Sequence, residues 1–362
     1  MKKRIQIAFI PLLLLAWTVK AQNLQPPTLA PSPSTENQQR LIKAGVELHD
    51  QGDYDGAVNR YTEVLKENPN NVLALYEASY SYWAKKNYQK CIEVASKAAK
   101  YKSELLELAY IQLGTCFDDS GDPQHAIENY KFGIQLVPSS SLLHYNLAIT
   151  YHRVEQLADA KMAVKKAVVL KPNHPGSQLL LSRVFSQGSY KIPSLLAALR
   201  FLILEANSQR SAVALQLVKK QLRSGVSAGK DGNNINILLD TGQKKDEGDF
   251  QSVDLFMSLM QAANFTEKNK NKTEIQLLVE NLNSLCSVLS ESSSKADRSK
   301  FTWQYYVPYF IELKQQGHTE AFVYYINQQS SIAEVNDWLE HNKNKVANFL
   351  TWSRDYRWPK VD

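Results

Sequence analysis

The chain is poor in the residues from which catalytic and metal centres are built. Its 362 residues include three cysteines, Cys91, Cys116 and Cys286, an odd number at no metal-binding spacing. The seven histidines are scattered. His144 and His152 would share a helix but stand about two turns apart, too far to grip one ion. His-Glu-x-x-His and Gly-x-Ser-x-Gly are both missing. The run GVSAGKD at 225–231 is one residue short of a phosphate-binding loop, with Asp231 where serine or threonine must hold magnesium. Residues 231–240 lack the carboxylate spacing of a calcium loop. The adjacent Asp118 and Asp119 close a helical period and need no acid–base role. The sequence therefore leads us to expect no catalytic residue, no cofactor and no metal.

A charge excess is lacking too. The formal net charge is +6. Lys2, Lys3, Arg4 and Lys20 precede an expected cleavage point, with no acid among them, so the mature value is +2. Lysine and glutamate are interspersed without a long basic block, which argues against a nucleic-acid partner. The one long apolar run, residues 5–19, follows that basic start and ends at Val19-Lys20-Ala21. It is short for a membrane span of ~20 apolar residues. We read residues 1–21 as a signal peptide cut after Ala21, with an amino-terminal anchor as the alternative. That implies export, to the periplasm or cell envelope of a Gram-negative bacterium. Residues 22–37, QNLQPPTLAPSPSTEN, carry four prolines and little apolar content, and read as an extended linker in preference to an ordered arm packed on the body. Cys91 and Cys116 fall within helical periodicity and read as small buried hydrophobes in preference to a disulfide.

What is present is a repeat. Gly52, Lys86, Gly121 and Glu155 form one column, stepping by 34, 35 and 34 residues. Ala57, Cys91, Ala126 and Ala160 form another, as do Tyr61, Ala95, Tyr130 and Val164. Pro69, Ser103, Pro138 and Pro172 close each unit, and one residue inserted near Ser103 explains the longer step. Upstream, Gly45, Ser79, Gly114 and Ala148 keep register, with Leu48, Tyr82, Phe117 and Tyr151. Small residues let paired helices approach, and large ones nearby fill the remaining space. The glycine column marks a helix end and turn. Asp53 and Asp122 can cap the next helix. The prolines stop it. Each unit is thus a helix–turn–helix that cannot cover its apolar face alone, so the units must stack.

The run LGTCFDDSGDPQHAIENYKFGIQLVP, with Leu113-Gly114, Phe117, Ala126, Tyr130 and Pro138, resembles the tetratricopeptide repeat family. The resemblance covers units at 38–71, 72–106, 107–140 and 141–174, and a degenerate fifth at 175–207. It departs from the family where Leu41, Leu75, Tyr110 and His144 replace the opening tryptophan. It implies an all-α, right-handed helical solenoid whose first helices line a concave groove for a protein or peptide partner. Carried over by position, the groove holds His49 and Asp50, then Tyr76, Tyr80 and Trp83, then Asp118 and Asp119, then Tyr145, His152 and Arg153, then Arg183. The partner-binding residues we single out are Tyr76, Tyr80, Trp83, Tyr145, His152 and Arg153. The carboxylate clamp of part of the family is absent, because Ile42, Val46, Tyr80 and Leu108 occupy its places. The aromatics either take apolar or proline anchors of an extended peptide or pack within the stack; the sequence leaves both open.

Residues 192–207 are apolar on nearly every side, so the solenoid should be covered at that end by the rest of the chain, in preference to a lipid-binding face. Residues 208–362 read as a mostly helical region with a loop-rich stretch at 224–249, a short strand near 235–239 and helices at 250–263, 272–291, 301–316, 318–328, 332–341 and 343–356. KQQGHTEAFVYYI resembles the repeat turn with its alanine one residue early, and His318 beside the turn glycine is expected to cap a helix. The aromatic residues that crowd the stretch from Trp303 to Trp358 read as core, with a partner surface as the alternative. The function that follows is a protein-interaction scaffold or adaptor. Two other classes remain: an exported enzyme with its site in the carboxy-terminal region, and, less favoured, a membrane-surface protein using the aromatic face.

Overall fold

The computed structural model describes residues 24–223, 226–228, 235–237, 244–263, 269 and 271–361. The signal peptide and most of the loop-rich stretch lie outside the described residues. Ten helices form five antiparallel pairs: α1 (Glu36–Asp50) with α2 (Tyr54–Glu67), α3 (Val72–Ala84) with α4 (Tyr88–Ala98), α5 (Leu106–Asp119) with α6 (Pro123–Leu136), α7 (Ser141–Arg153) with α8 (Leu157–Leu170), and α9 (Pro175–Gln187) with α10 (Lys191–Leu204). This is the helical repeat solenoid expected from the columns.

The turn inside each pair explains the first column. Gly52, Lys86, Gly121, Glu155 and Ser189 all adopt positive φ, between 61° and 89°. At each, the following amide reaches back five residues: Asp53 N to Leu48 O at 2.9 Å, Asn87 to Tyr82 at 2.9 Å, Asp122 to Phe117 at 3.0 Å, Gln156 to Tyr151 at 2.9 Å and Tyr190 to Phe185 at 2.9 Å. Such a left-handed cap satisfies carbonyls that a helix end leaves free. Asp53, Asn87 and Asp122 then cap the second helix, accepting from the amides of Gly56, Lys90 and His125.

Two columns turn out to be partners across each pair. A Cβ at Gly45 would lie 2.5 Å from the Tyr61 ring, and one at Gly114 would lie 2.4 Å from the Tyr130 ring. Where the first helix carries serine or alanine instead, the second carries a smaller residue: Ser79 with Ala95, Ala148 with Val164. A large ring on the second helix thus goes with a glycine on the first, because close packing leaves no room for both a Cβ and the ring.

The structure corrects two readings. Cys91 on α4 and Cys116 on α5 are a disulfide with Cα atoms 6.0 Å apart, not separate apolar fillers. It ties the second unit to the third. Cys286 is the free thiol, buried, and burial pushes its pKa up to about 12. Nor are residues 24–35 a loose tether. Thr28 and Leu29 amides donate to Lys100 O, Lys102 N donates to Leu29 O at 2.8 Å, and Leu29 pairs with Tyr101 in a parallel bridge. Asn68 and Asn71 hold Pro33 O and Ser34 Oγ. The residue inserted near Ser103 falls by the extended segment that receives this arm. Sequence composition registered only the arm's missing apolar content; its attachment is made mainly by backbone groups, with the Asn68 and Asn71 side chains adding to it.

After the fifth pair come α11 (Gln209–Arg223), the antiparallel strands β1 (Val226–Ala228) and β2 (Ile235–Ile237), then α12 (Gln251–Ala263), α13 (Glu274–Ser293), α14 (Phe301–Gln315), α15 (Thr319–Ile326), α16 (Ala333–His341) and α17 (Lys343–Asp355). These cover α10, whose Leu195, Leu196, Leu199, Phe201, Leu202 and Ile203 are all buried. Tyr305, Tyr306, Tyr309 and Phe310 on α14 are fully buried. The Tyr305 hydroxyl donates to Val168 O at 3.0 Å and that of Tyr306 to Gln178 Oε1, so these aromatics fasten the carboxy-terminal helices to the solenoid. Gly317 repeats the left-handed turn, with His318 N bonded to Leu313 O at 2.9 Å, but α15 packs on α13 instead of α14. His318 occupies the cap position without a side-chain cap bond; its ring packs on Trp352.

Candidate partner-binding groove

First helices of successive units touch: α1 meets α3, α3 meets α5, α5 meets α7 and α7 meets α9. Second helices approach one another less. In a curved stack the closer row lies on the inside, so the first helices form the inner face. Their outward-pointing side chains are spared from pair packing and are free to meet a partner.

On α3, Leu73, Tyr76, Tyr80 and Trp83 follow three-, four- and three-residue steps and so share one helix face. Leu73 is 38% and Tyr80 37% exposed, while Tyr76 and Trp83 are half-buried. The rings run nearly parallel. Tyr80 lies 6.5 Å from Tyr76 at an interplanar angle of 2°, and 5.6 Å from Trp83 at 11°. His49 of α1 stacks on Tyr80 at 4.7 Å and 17°. Polar bonds fix both ends: His49 Nδ1 lies 2.8 Å from Ser81 Oγ, and Trp83 Nε1 donates to Asp119 Oδ2 at 2.7 Å.

Asp119 links this row to the fourth unit. Arg153 donates to Asp118 O at 2.7 Å, pairs with the Asp118 carboxylate and lies 3.9 Å from Asp119 Oδ1. Burial pushes the Asp118 carboxyl up, opposed by the Arg153 guanidinium. Glu77, beside the aromatic row, is also pushed up by burial and then by Asp50. The middle of the inner face thus carries Arg153 among the carboxylates of Asp118 and Asp119, with Glu77 and Asp50 close to the row.

Of the six residues singled out from sequence, Tyr76, Tyr80 and Trp83 come together, and Arg153 joins them through Asp119. Tyr145 stands apart, edge-on to His174 at 4.8 Å and 86°. His152 lines a cavity of about 190 Å³ with Leu179, Ser182 and Arg183, closed by α11, and its Nε2 is buried without a partner. Sequence reasoning missed Leu73, Glu77 and Ser81. The heptad-like spacing of Leu73 with Tyr76, Tyr80 and Trp83 was the signal that could have found the first. Among the described residues no cluster of histidine, cysteine and carboxylate could hold a metal ion, and no helix is long and apolar enough to cross a membrane.

Residues 48–104 match the tetratricopeptide repeat family. The chain is similar to a probable UDP-N-acetylglucosamine–peptide N-acetylglucosaminyltransferase SPINDLY of Hordeum vulgare, 26% identical over 142 residues, or 38% of this chain and 15% of that protein. It is also similar to small glutamine-rich tetratricopeptide repeat-containing protein 2 of Mycosarcoma maydis, 28% identical over 26% of this chain and 27% of that one. The chain thus spans well under a third of these relatives. Among solved structures, a thermophilic tetratricopeptide repeat protein of Thermus thermophilus aligns over 49% of this chain and 99% of its own, with a TM-score of 0.42 and 20% identity.

Proposed function

We propose that this chain is a non-catalytic scaffold that takes an extended segment of a partner protein or peptide along its inner face. The observation that carries the reading is the row His49, Tyr76, Tyr80 and Trp83, exposed on one side and held by polar bonds behind. Single exposed aromatics are ordinary. A parallel row fixed by Ser81 and Asp119 is pre-organised, and loses little side-chain freedom on binding. Flat ring faces suit aliphatic or proline side chains. Asp118 and Asp119 are engaged by Arg153, whereas Glu77 and Asp50 lie by the row without that partner. Arg153, Tyr145 and His152 would make further contacts toward α9.

Export is part of the same proposal. The basic start, the apolar run at 5–19 and the small residue at Ala21 support a cleaved signal peptide. The Cys91–Cys116 disulfide adds support, since such bonds persist in oxidising compartments such as the bacterial periplasm. The mature body would then comprise the solenoid at 38–207 and the helical region at 208–362.

The test joins Tyr80→Ala with Trp83→Ala. The partner is first captured from the cell envelope and identified by mass spectrometry. The double variant should keep its helical circular dichroism and bind that partner at least ~10-fold more weakly, because a few buried aromatics often dominate an interface. A folded double variant that binds at full strength would remove the inner face from consideration. Export is checked separately by finding a new amino terminus at Gln22.

A further inference from the structure

The junction between solenoid and carboxy-terminal helices buries a charge that meets no counter-charge among the described residues. Arg200 on α10 is fully buried. Its guanidinium donates to Ser353 Oγ at 2.7 Å, to Asn173 Oδ1 at 2.6 Å and to the Tyr309 hydroxyl at 3.3 Å. All three are neutral, and Nε has no acceptor. The group lies between the rings of Tyr309 and Trp358, 5.1 and 5.0 Å from their centroids. A guanidinium cannot shed its charge by deprotonation in a protein. A buried charge is costly unless an opposite charge compensates it. The Glu312 carboxylate accepts from Trp352 Nε1 at 2.8 Å and is not among the groups to which Arg200 donates.

Two residues that touch Arg200, Asn173 and Trp358, also line a cleft of about 680 Å³ between the α8–α9 connection and the carboxy-terminal tail. Lys171 and Lys360 stand on opposite walls of it, both exposed. Among the described residues, no aspartate or glutamate lines the cleft. Trp358 contributes a second unanswered donor, because its Nε1 is buried without a partner. The remaining walls, among them Tyr356, Pro172 and Pro359, are apolar or aromatic. The volume falls within the range of small-molecule sites.

We propose that this cleft binds a small organic anion: a phosphate or carboxylate head group on an apolar or aromatic body. The head group would take hydrogen bonds from Lys171 and Lys360, and its negative charge would act on Arg200, which does not itself line the cleft, across Asn173 and Trp358. The body would lie against Tyr356 and the two prolines. Charge-assisted hydrogen bonds of this kind are the strong ones in a partly desolvated site. The site is separate from the inner face of the solenoid and shares no residue with the aromatic row.

The experiment follows the Trp358 indole N–H in ¹⁵N-labelled full-length protein, with the signal assigned through Trp358→Phe. Phenyl phosphate, benzoate and inorganic phosphate are titrated in turn against sodium chloride at matched ionic strength. A saturable shift with phenyl phosphate or benzoate is expected, and the tighter of the two identifies the head group. The exposed pair Lys171→Ala and Lys360→Ala should weaken it at least ~10-fold while leaving the fold intact. Inorganic phosphate should bind more weakly than phenyl phosphate. Overturning results are no saturable shift with either organic anion, a shift that chloride reproduces, or one that survives the double lysine substitution.

Discussion

The compensation between Gly114 and Tyr130 can be tested as a coupling energy. A methyl group at position 114 would sit 2.4, 2.6 and 2.7 Å from three atoms of the Tyr130 ring. That ring is 2% exposed and cannot swing clear, because its hydroxyl is bonded to Thr115 Oγ1 at 3.0 Å. Gly→Ala in a helix interior would by itself gain about 1 kcal/mol. Forcing a methyl into a filled site costs about 1–3 kcal/mol. The clash should win, leaving Gly114→Ala destabilised by roughly 1 kcal/mol. Tyr130→Val alone empties space and should cost about 3 kcal/mol. Together the two changes reproduce the Ala148–Val164 combination that the fourth unit already uses. The double variant should therefore be more stable than additivity predicts by about 1–2 kcal/mol. Urea unfolding followed by circular dichroism measures all three, with hydrogen exchange in α5 and α6 checking that the effect is local. A coupling near zero, or a Gly114→Ala variant that gains its full helical propensity, would refute the argument.

Two further outcomes follow from the buried groups. Denatured, unreduced protein should take one thiol label, at Cys286, and three after reduction, while the native protein takes none; three labels without reduction would remove the Cys91–Cys116 bond. His144, His174 and His318 are all pushed below the ordinary histidine value, chiefly by burial. The unfolded chain then binds more protons than the folded one just below about pH 6.5, so stability is full above that value and falls as pH drops through it. The melting temperature should decline between about pH 7.5 and 5.5, and less so in a His144→Gln, His318→Gln variant; a flat or rising trend would contradict the burial of these rings.

Much of the architecture was legible in the chain because it is periodic. A column such as Gly52, Lys86, Gly121 and Glu155 is local information: the turn closes over six residues, and its left-handed residue can be read from one glycine and extended by register. The aromatic row was half legible. Three of its members lie on one helix, so spacing alone placed Tyr76, Tyr80 and Trp83 on a common face. Whether that face packed or faced outward depended on the helix beside it, and only His49, Ser81 and Asp119 in space settle how the rings are held.

Non-periodic contacts could be decided only by tertiary structure. The arm at 24–35 attaches mainly through backbone amides and carbonyls, which every sequence has, so its proline content argued for freedom where hydrogen bonds with Lys100 and Lys102 impose order. Cys91 and Cys116 stand 25 residues apart in sequence, and their pairing needs two helices of different units at one distance. Arg200 is the furthest case. In sequence it is one cation in an apolar helix. Its burial arises because α14 and the tail, more than a hundred residues later, close over α10. Register along one chain is set by neighbours a few residues away, and the sequence therefore determined the repeat. Distances between distant segments are set by what each surface must cover, and the folded whole alone decided those.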